Sequence, residues 1–259
     1  MPEPFPSRPT KPELRRAKML DMIEQAGRAS VEELADRFSA SLETVRRDLG
    51  ALAESGAVRK VHGGAVRVEW RGEDSFEDRL AANVGAKREI AKKFARIVTP
   101  GQCIMMDTGS TTLACAQALT GIPNLTVVTN STRIADAVAR ADNGSRAQLV
   151  GGTYRPENAQ TVGPQTCSEL LRYRPDITVL TIHGVDNDGC YDFSEDEAQV
   201  ARAMVSVARK VVLVCDASKL ERTSTYLVCG LDRVSHVVTN QLPRDRLRST
   251  FEAAGIALL

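Results

Sequence analysis

Ser41-Leu42-Glu43-Thr44-Val45-Arg46-Arg47-Asp48-Leu49, followed eight residues later by Val58-Arg59-Lys60-Val61-His62-Gly63-Gly64-Ala65, is the stretch that fixes how the N-terminal part must fold. Its first half predicts a helix, because Leu42, Val45, Leu49 and Leu52 recur at the three- and four-residue spacing that gathers apolar side chains on one face. Ser41 precedes it as an N-cap, its hydroxyl placed to accept a first-turn N–H that the helix itself leaves unsatisfied. With Val45 and Leu49 inward, a rotation of about 100° per residue puts Glu43 and Arg47 outward and Thr44 and Arg46 on the flanks. A guanidinium on such a face can bond guanine bidentately or clamp a phosphate. Gly56 is the stop signal for that helix. Beyond it, Val58–Val61 and Ala65–Val68 alternate apolar and basic residues around Gly63-Gly64, a pattern that predicts a tight hairpin with Arg59, Lys60 and Arg67 on one face.

Upstream, Val31, Leu34, Ala35 and Phe38 form the apolar face of another short helix, with Ser30 and Glu33 at capping-box spacing. Only Ser39-Ala40-Ser41 separates the two, the spacing of a helix-turn-helix. A third helix over Glu13 to Ala26, with Ala17, Leu20 and Ile23 inward, completes a small core. From Leu42 to Val68 the residues Arg46, Arg47, Arg59, Lys60 and Arg67 outweigh Glu43, Asp48 and Glu54, a local +2 in a chain whose net charge is only +1. Attraction to nucleic-acid phosphates needs that local field and not an overall basic chain.

At 259 residues and 42% hydrophobic composition the chain is long enough for two domains. No apolar run reaches the ~20 residues that span a bilayer, and the proline-rich N-terminus lacks a signal-peptide core. A cytoplasmic protein without a membrane partner is expected. The six cysteines, at 103, 115, 167, 190, 215 and 229, contain no Cys-x-x-Cys pair and lie mostly in apolar runs, which predicts buried free thiols. His62, His183 and His236 form no helical metal pair, so neither metal nor cofactor is expected.

The predicted organisation is a loose arm over 1–12, a winged helix-turn-helix over 13–68, a polar linker over 69–83 and a second domain over 84–259. In the last, short β-branched runs (Cys103–Met106, Leu125–Thr129, Ala147–Val150, Ile177–Ile182, Val211–Cys215, His236–Thr239) alternate with helical stretches. This is the pattern of a Rossmann-like, largely parallel α/β sheet, in which ligands collect at the carboxyl ends of strands. Small polar residues cluster there: Asp107-Thr108-Gly109-Ser110-Thr111-Thr112, Thr129-Asn130-Ser131 and Gly151-Gly152-Thr153. Hydroxyls and free N–H groups at a helix start suit a phosphate. The phosphate loop Gly-x-x-x-x-Gly-Lys, the dinucleotide fingerprint, the nucleophile elbow and His-Glu-x-x-His do not occur, so no catalytic residue is assigned.

These segments resemble the DeoR family of bacterial transcription regulators from Leu14 to Asn240. Thr44-Val45-Arg46-Arg47-Asp48-Leu49 and Val61-His62-Gly63-Gly64-Ala65 are similar to its reader signature. Asp107–Thr112, Leu125–Ser131, Gly151-Gly152-Thr153, Val162-Gly163-Pro164 and Asp216-Ala217-Ser218-Lys219 are similar to its sensor signature. The resemblance implies a winged helix-turn-helix fused to a sugar-phosphate-binding domain that resembles ribose-5-phosphate isomerase. The function it implies is a repressor of carbohydrate or polyol catabolism, working as a homodimer or homotetramer and released from operator DNA by a phosphorylated effector. The implied DNA contacts are Ser41, Thr44, Arg46, Arg47, Arg59, Lys60 and His62. The implied effector contacts are Asp107, Gly109, Ser110, Thr111, Thr112, Thr129, Asn130, Gly151, Gly152, Gly163, His183, Asp186, Glu197 and Lys219. Asp192-Phe193 with Val200–Met204 resembles the glycerol-3-phosphate repressor subgroup, which makes glycerol 3-phosphate the first effector to test. Ser39-Ala40 stands where the family has Gly-Val, and His183 where the isomerases carry an acid. A sugar-phosphate isomerase with a DNA-binding appendage, using Glu197 and Lys219, is the alternative; an RNA-binding or architectural protein is a third.

Overall fold

A computed structural model describes residues 11–67 and 76–259, and the chain divides into two compact units between Asp74 and Ser75. The first contains α1 (Lys11–Ala26), β1 (Arg28–Ser30), α2 (Val31–Phe38), α3 (Leu42–Glu54), β2 (Val58–Val61) and β3 (Gly64–Arg67). Both expected caps are present. Ser30 and Glu33 satisfy each other's backbone N–H at 3.1 and 2.8 Å, and Ser41 Oγ accepts the Thr44 N–H at 3.2 Å.

The core of this unit joins Met19, Ile23, Val31, Leu34, Val45, Leu49, Leu52, Val58 and Ala65. Two details depart from the periodicity. In α1 the inward positions are Met19 and Ile23, with Leu20 at the margin and Ala17 exposed. In α3 Leu42, the first helical residue, is 42% exposed and takes no part in the core. Asp48 is buried because Arg15 of α1 reaches it at 2.6 Å.

The hairpin forms as expected, with Val61 opposite Gly64 and His62-Gly63 as a two-residue turn in which Gly63 has φ 75°. Gly64 is required for a different reason: β1 pairs with β3, and a Cβ at Gly64 would run into the Ala29 carbonyl. The sheet order β1-β3-β2 leaves β2 at an edge. Arg59 and Lys60 are neighbours on that strand, so they project to opposite sides of the ribbon and not from one face; both are exposed. The Arg67 side chain and Val68, which complete the expected wing, lie outside the described residues, as does most of the expected arm; Lys11 and Pro12 already belong to α1.

The second unit begins earlier than the expected boundary at 84. Within the expected linker, Phe76–Ala81 is a helix, α4, whose Phe76 is buried against Ile90 and Phe94 in the core of the second unit. Six residues hold too few turns to show a periodicity. Then follow α5 (Val84–Ala95), β4 (Cys103–Met106), α6 (Ser110–Ala118), β5 (Thr126–Thr129), α7 (Thr132–Ala139), β6 (Arg146–Leu149), β7 (Thr153–Arg155), β8 (Gln160–Val162) and α8 (Pro164–Leu170). The remainder is β9 (Ile177–Leu180), β10 (Gly184–Val185), β11 (Cys190–Asp192), α9 (Glu195–Val207), β12 (Val211–Val214), β13 (Tyr226–Cys229), β14 (His236–Val238), α10 (Asp245–Ala253) and β15 (Ala257–Leu258).

Seven strands form one parallel sheet in the order β15-β14-β12-β9-β4-β5-β6. The inner strands β4, β5, β9 and β12 are largely apolar and buried because both faces are covered, whereas the edge strand β6, Arg146–Leu149, is mostly exposed. Met105, Val128, Leu180 and Leu213 face the core that includes α8, α9 and α10, while Ile104, Met106, Val127, Val179 and Val212 face the one that includes α5, α6 and α7. The chain runs outward from β4 to β6, then returns and runs outward the other way from β9 to β15. The strand order therefore switches direction between β4 and β9, where an open α/β sheet leaves a crevice at its carboxyl edge. The β7–β8 hairpin and the small sheet β10-β11-β13 are additions that the sequence reading did not contain. Among the described residues no helix is long and apolar enough to cross a membrane.

Candidate functional site

Two sites follow from the sequence, one in each unit. In the first, Ser41 and Thr44 are joined by their hydroxyls at 2.8 Å over the start of α3. Arg46 and Arg47 are exposed on that helix, and Arg47 pairs with Glu43 at 3.3 Å in a surface contact that water screens. His62 is exposed at the tip of the turn. A helix preceded by a tight turn, bearing two solvent-facing guanidiniums and followed by a two-stranded ribbon, has the form of a reader of the DNA major groove.

In the second unit the expected residues assemble around the switch point. Asp107 ends β4 and is buried; its N–H donates to Val179 O at 3.0 Å, and its Oδ1 accepts the Thr108 N–H at 2.7 Å. Gly109, at φ 151°, lets the chain turn into α6 where a Cβ would strike the Thr181 methyl group. The start of α6 has no side-chain cap, whereas Ser131 caps α7 and Ser194 caps α9. The first-turn N–H groups of Ser110, Thr111 and Thr112 are thus the positive end of a helix, buried at the carboxyl edge of the sheet. Helix starts of this kind take phosphate.

Three cations, Lys87, Arg79 and Lys219, share one electrostatic neighbourhood. Lys87 of α5 is buried, donates to the Arg79 carbonyl and, at 2.7 Å, to Ala82 O, and lies in the electrostatic field of Asp216, Arg79 and Lys219. Burial, more than its charged neighbours, lowers its affinity for a proton. Arg79 of α4 donates to Asn158 Oδ1 at 2.7 Å, and Asn158 Nδ2 in turn donates to Glu197 Oε1 at 2.7 Å. Gln160 Nε2 donates to the same Glu197 oxygen at 2.5 Å. Asp192, close by, is pushed up to about 6, first by burial and second by the Glu197 charge.

Across the edge, Asn130 at the end of β5 is wholly buried. Its amide donates to Thr161 O at 3.0 Å and to Gln160 Oε1 at 3.3 Å, leaving Oδ1 without a hydrogen bond among the described residues. His183 follows β9, is buried, and stands 5.8 Å from the Phe193 ring. Lys219 sits in the short turn Ala217–Lys219 beyond β12, which Asp216 caps through the Ser218 N–H at 2.9 Å.

Five expected residues are accounted for by local architecture. Asp186 Oδ1 accepts the Asp188 and Gly189 N–H groups at 2.9 and 3.2 Å and so shapes the turn between β10 and β11. Gly151 and Gly152 pack on α8: the Thr166 hydroxyl donates to Gly151 O at 2.8 Å and would meet any Cβ on Gly152. Gly163 starts α8 with φ 98°. Thr129 is internal, its hydroxyl accepting the Ser131 N–H at 3.0 Å. Arg79, Lys87, Asn158 and Gln160 were not found by the sequence reading, which noted Asp192 only through its resemblance to the glycerol-3-phosphate repressor subgroup. Arg79 lies in the stretch taken for linker, and Lys87 is one of several lysines on an amphipathic helix, with no local pattern to mark it. An open groove of about 760 Å³ between α6 and α7, lined by Leu113, Gln117, Arg133 and Arg140, lies on the outer helical layer and has none of these strand-end residues in its lining.

Comparison with known proteins follows the same division. Residues 15–71 match the DeoR-like helix-turn-helix domain and residues 82–241 the DeoR C terminal sensor domain. The glycerol-3-phosphate regulon repressor of Escherichia coli (strain K12) is 33% identical over 226 residues, 87% of this chain and 89% of that protein. The HTH-type transcriptional repressor CsqR of the same organism is 29% identical over 246 residues, 95% and 94% of the two chains. Among solved structures, ribose 5-phosphate isomerase A from Methanocaldococcus jannaschii overlaps 54% of this chain and 55% of its own at 17% identity, with a TM-score of 0.39. With the helix-turn-helix match on the first unit, the sensor match on the second, and repressors related along most of the length, the chain belongs to the DeoR family of transcriptional regulators.

Proposed function

We propose that this regulator is released from its operator when glycerol 3-phosphate, or a phosphorylated polyol or sugar close to it, binds at the start of α6. The observation that carries the reading is the uncapped helix start at Gly109–Thr112, set at the switch point of the sheet with Lys87, Arg79 and Lys219 in one electrostatic neighbourhood. A dianionic phosphate there gains hydrogen bonds from backbone N–H groups and from the Ser110 and Thr111 hydroxyls, while the wholly buried Thr112 hydroxyl donates to Gly109 O at 3.0 Å and holds the turn. Lys219 and Lys87 supply charge, while Asp107, Asn130 Oδ1, His183 and the Asn158–Glu197 network meet hydroxyls. Glycerol 3-phosphate comes first because a relative over nearly the whole chain is a glycerol-3-phosphate regulon repressor. The isomerase reading is set aside because relatives over nearly the whole chain are repressors.

On DNA, Arg46 and Arg47 contact base edges or phosphates, Ser41 and Thr44 fix the helix start on the backbone, and Arg59, Lys60 and His62 follow the flanking strand. Two readers, in a homodimer or a homotetramer, address half-sites about one helical turn, or a multiple of it, apart. A thermal-shift panel of phosphorylated three- to six-carbon metabolites tests the sensor half. The expected result is a melting temperature that rises with glycerol 3-phosphate concentration and stays fixed with glycerol; a ligand at 100 times its Kd contributes about 2.7 kcal/mol to stability. A panel that leaves the melting temperature unchanged throughout contradicts it.

A further inference from the structure

Beyond the effector site, the small sheet β10-β11-β13 holds a pair of thiols that neither DNA nor effector binding uses. Cys190 of β11 and Cys229 of β13 are direct partners in the antiparallel register. Opposed residues in such a pair have Cα atoms about 4.5–5.5 Å apart, inside the roughly 4.4–6.8 Å that a disulfide requires. Each thiol shifts the proton affinity of the other, Cys190 upward and Cys229 downward. Cys190 is fully buried, whereas Cys229 keeps 8% of its surface on β13, an edge strand.

The two thiols are chemically unequal. Burial raises the proton affinity of Cys103, Cys115, Cys167 and Cys215, which makes them poor nucleophiles. Cys229 alone shifts the other way, through the hydrogen it accepts from Cys190. A thiolate-prone sulfur with a resolving thiol directly opposite it on the neighbouring strand is the arrangement of a reversible redox pair.

We propose that Cys190 and Cys229 form an intramolecular disulfide when a hydroperoxide oxidises Cys229. The Cys229 thiolate attacks one peroxide oxygen, the O–O bond breaks, and the departing hydroxide takes the Cys190 proton to leave as water. The Cys190 thiolate then attacks the Cys229 sulfenic sulfur, and its hydroxyl leaves with a proton as a second water. Two thiols lose two hydrogens and two electrons to one peroxide. The bond ties β11 to β13 beside the effector site: the His183 N–H donates to Tyr191 O at 2.9 Å, and β11 ends at Asp192. Resting on the effector reading for this consequence alone, the oxidised sensor is expected to bind glycerol 3-phosphate with altered affinity.

The full-length protein is treated with hydrogen peroxide, digested without reductant and mapped by mass spectrometry. The expected product is one cross-linked peptide pair joining Cys190 to Cys229, two hydrogens lighter, with four of the six thiols retained and full reversal by dithiothreitol. Cys190→Ser should stop at a Cys229 sulfenic acid that dimedone traps. Six intact thiols, a Cys229 sulfinic acid without a cross-link in the parent protein, or a bond to Cys215 would each overturn the proposal. Thermal shifts with glycerol 3-phosphate on reduced and oxidised protein then separate the two ideas. Equal shifts overturn the consequence and leave the effector site standing; no shift in either form removes the effector reading and leaves the disulfide standing.

Discussion

Ser39 ends α2 with φ 47°, in the left-handed region that glycine enters without penalty and L-residues enter at a cost of roughly 1–2 kcal/mol. The sequence marks this position, since the family resemblance has glycine there, and the backbone shows that serine has kept the glycine conformation. Ser39→Gly should therefore stabilise the first unit by about 0.5–1 kcal/mol, after allowing for the greater freedom of glycine in the unfolded chain. An unchanged urea midpoint would contradict that. Asp192 has a pH consequence. Its native carboxyl is held up to about 6, against an ordinary value of 3.8, so between those values the folded state binds more protons than the unfolded one. Stability from this group is then full below about pH 4 and falls as pH rises through 6, by roughly 1–3 kcal/mol. Asp192→Asn, which can still accept the Phe193 and Ser194 N–H groups, should flatten this part of the profile in urea titrations at pH 4 to 7. An identical slope in both proteins would place the proton elsewhere. Arg47 is exposed and paired only at the surface, so Arg47→Ala should leave folding unchanged while weakening operator binding by roughly 5- to 150-fold if it reads a base. Unchanged affinity at low salt would remove it from the contact set.

Helices and strands were legible in proportion to how local their causes are. The caps at Ser30 and Ser41 and six of the seven strands of the parallel sheet follow from periodicity and capping chemistry within a few residues. What escaped was set by distant partners: β1 exists because it pairs with β3, and β15 forms only against β14. The paired glycines in the hairpin show the same contrast, Gly63 serving the turn and Gly64 the approach of β1. For the sensor, the decisive element is α6. Its glycine, hydroxyls and position after a strand are readable, whereas its cationic surroundings come from α4, α5 and the turn after β12, more than twenty residues away in either direction. Thr111→Val keeps the volume and removes one hydroxyl from the helix start. It should lose the thermal stabilisation given by glycerol 3-phosphate while melting close to the parent protein without ligand. Equal stabilisation of both would count against the site.

At the scale of the molecule the chain couples a reader and a sensor through a free-energy difference: the effector alters DNA affinity only as far as it binds the released form more tightly than the DNA-bound one. Couplings of about 1–3 kcal/mol change affinity roughly 5- to 150-fold. The sequence indicated both halves because each carries its own signature; the operator and the effector are fixed by the fit of side chains to ligands and have no such pattern. The direct test selects a duplex from random DNA with the full-length protein and follows its binding by fluorescence anisotropy, with and without saturating glycerol 3-phosphate. The Kd for that duplex is expected to rise at least about fivefold with the ligand in the parent protein and to stay constant in Thr111→Val. A ligand that raises the melting temperature yet leaves the DNA affinity of the parent unchanged would contradict it.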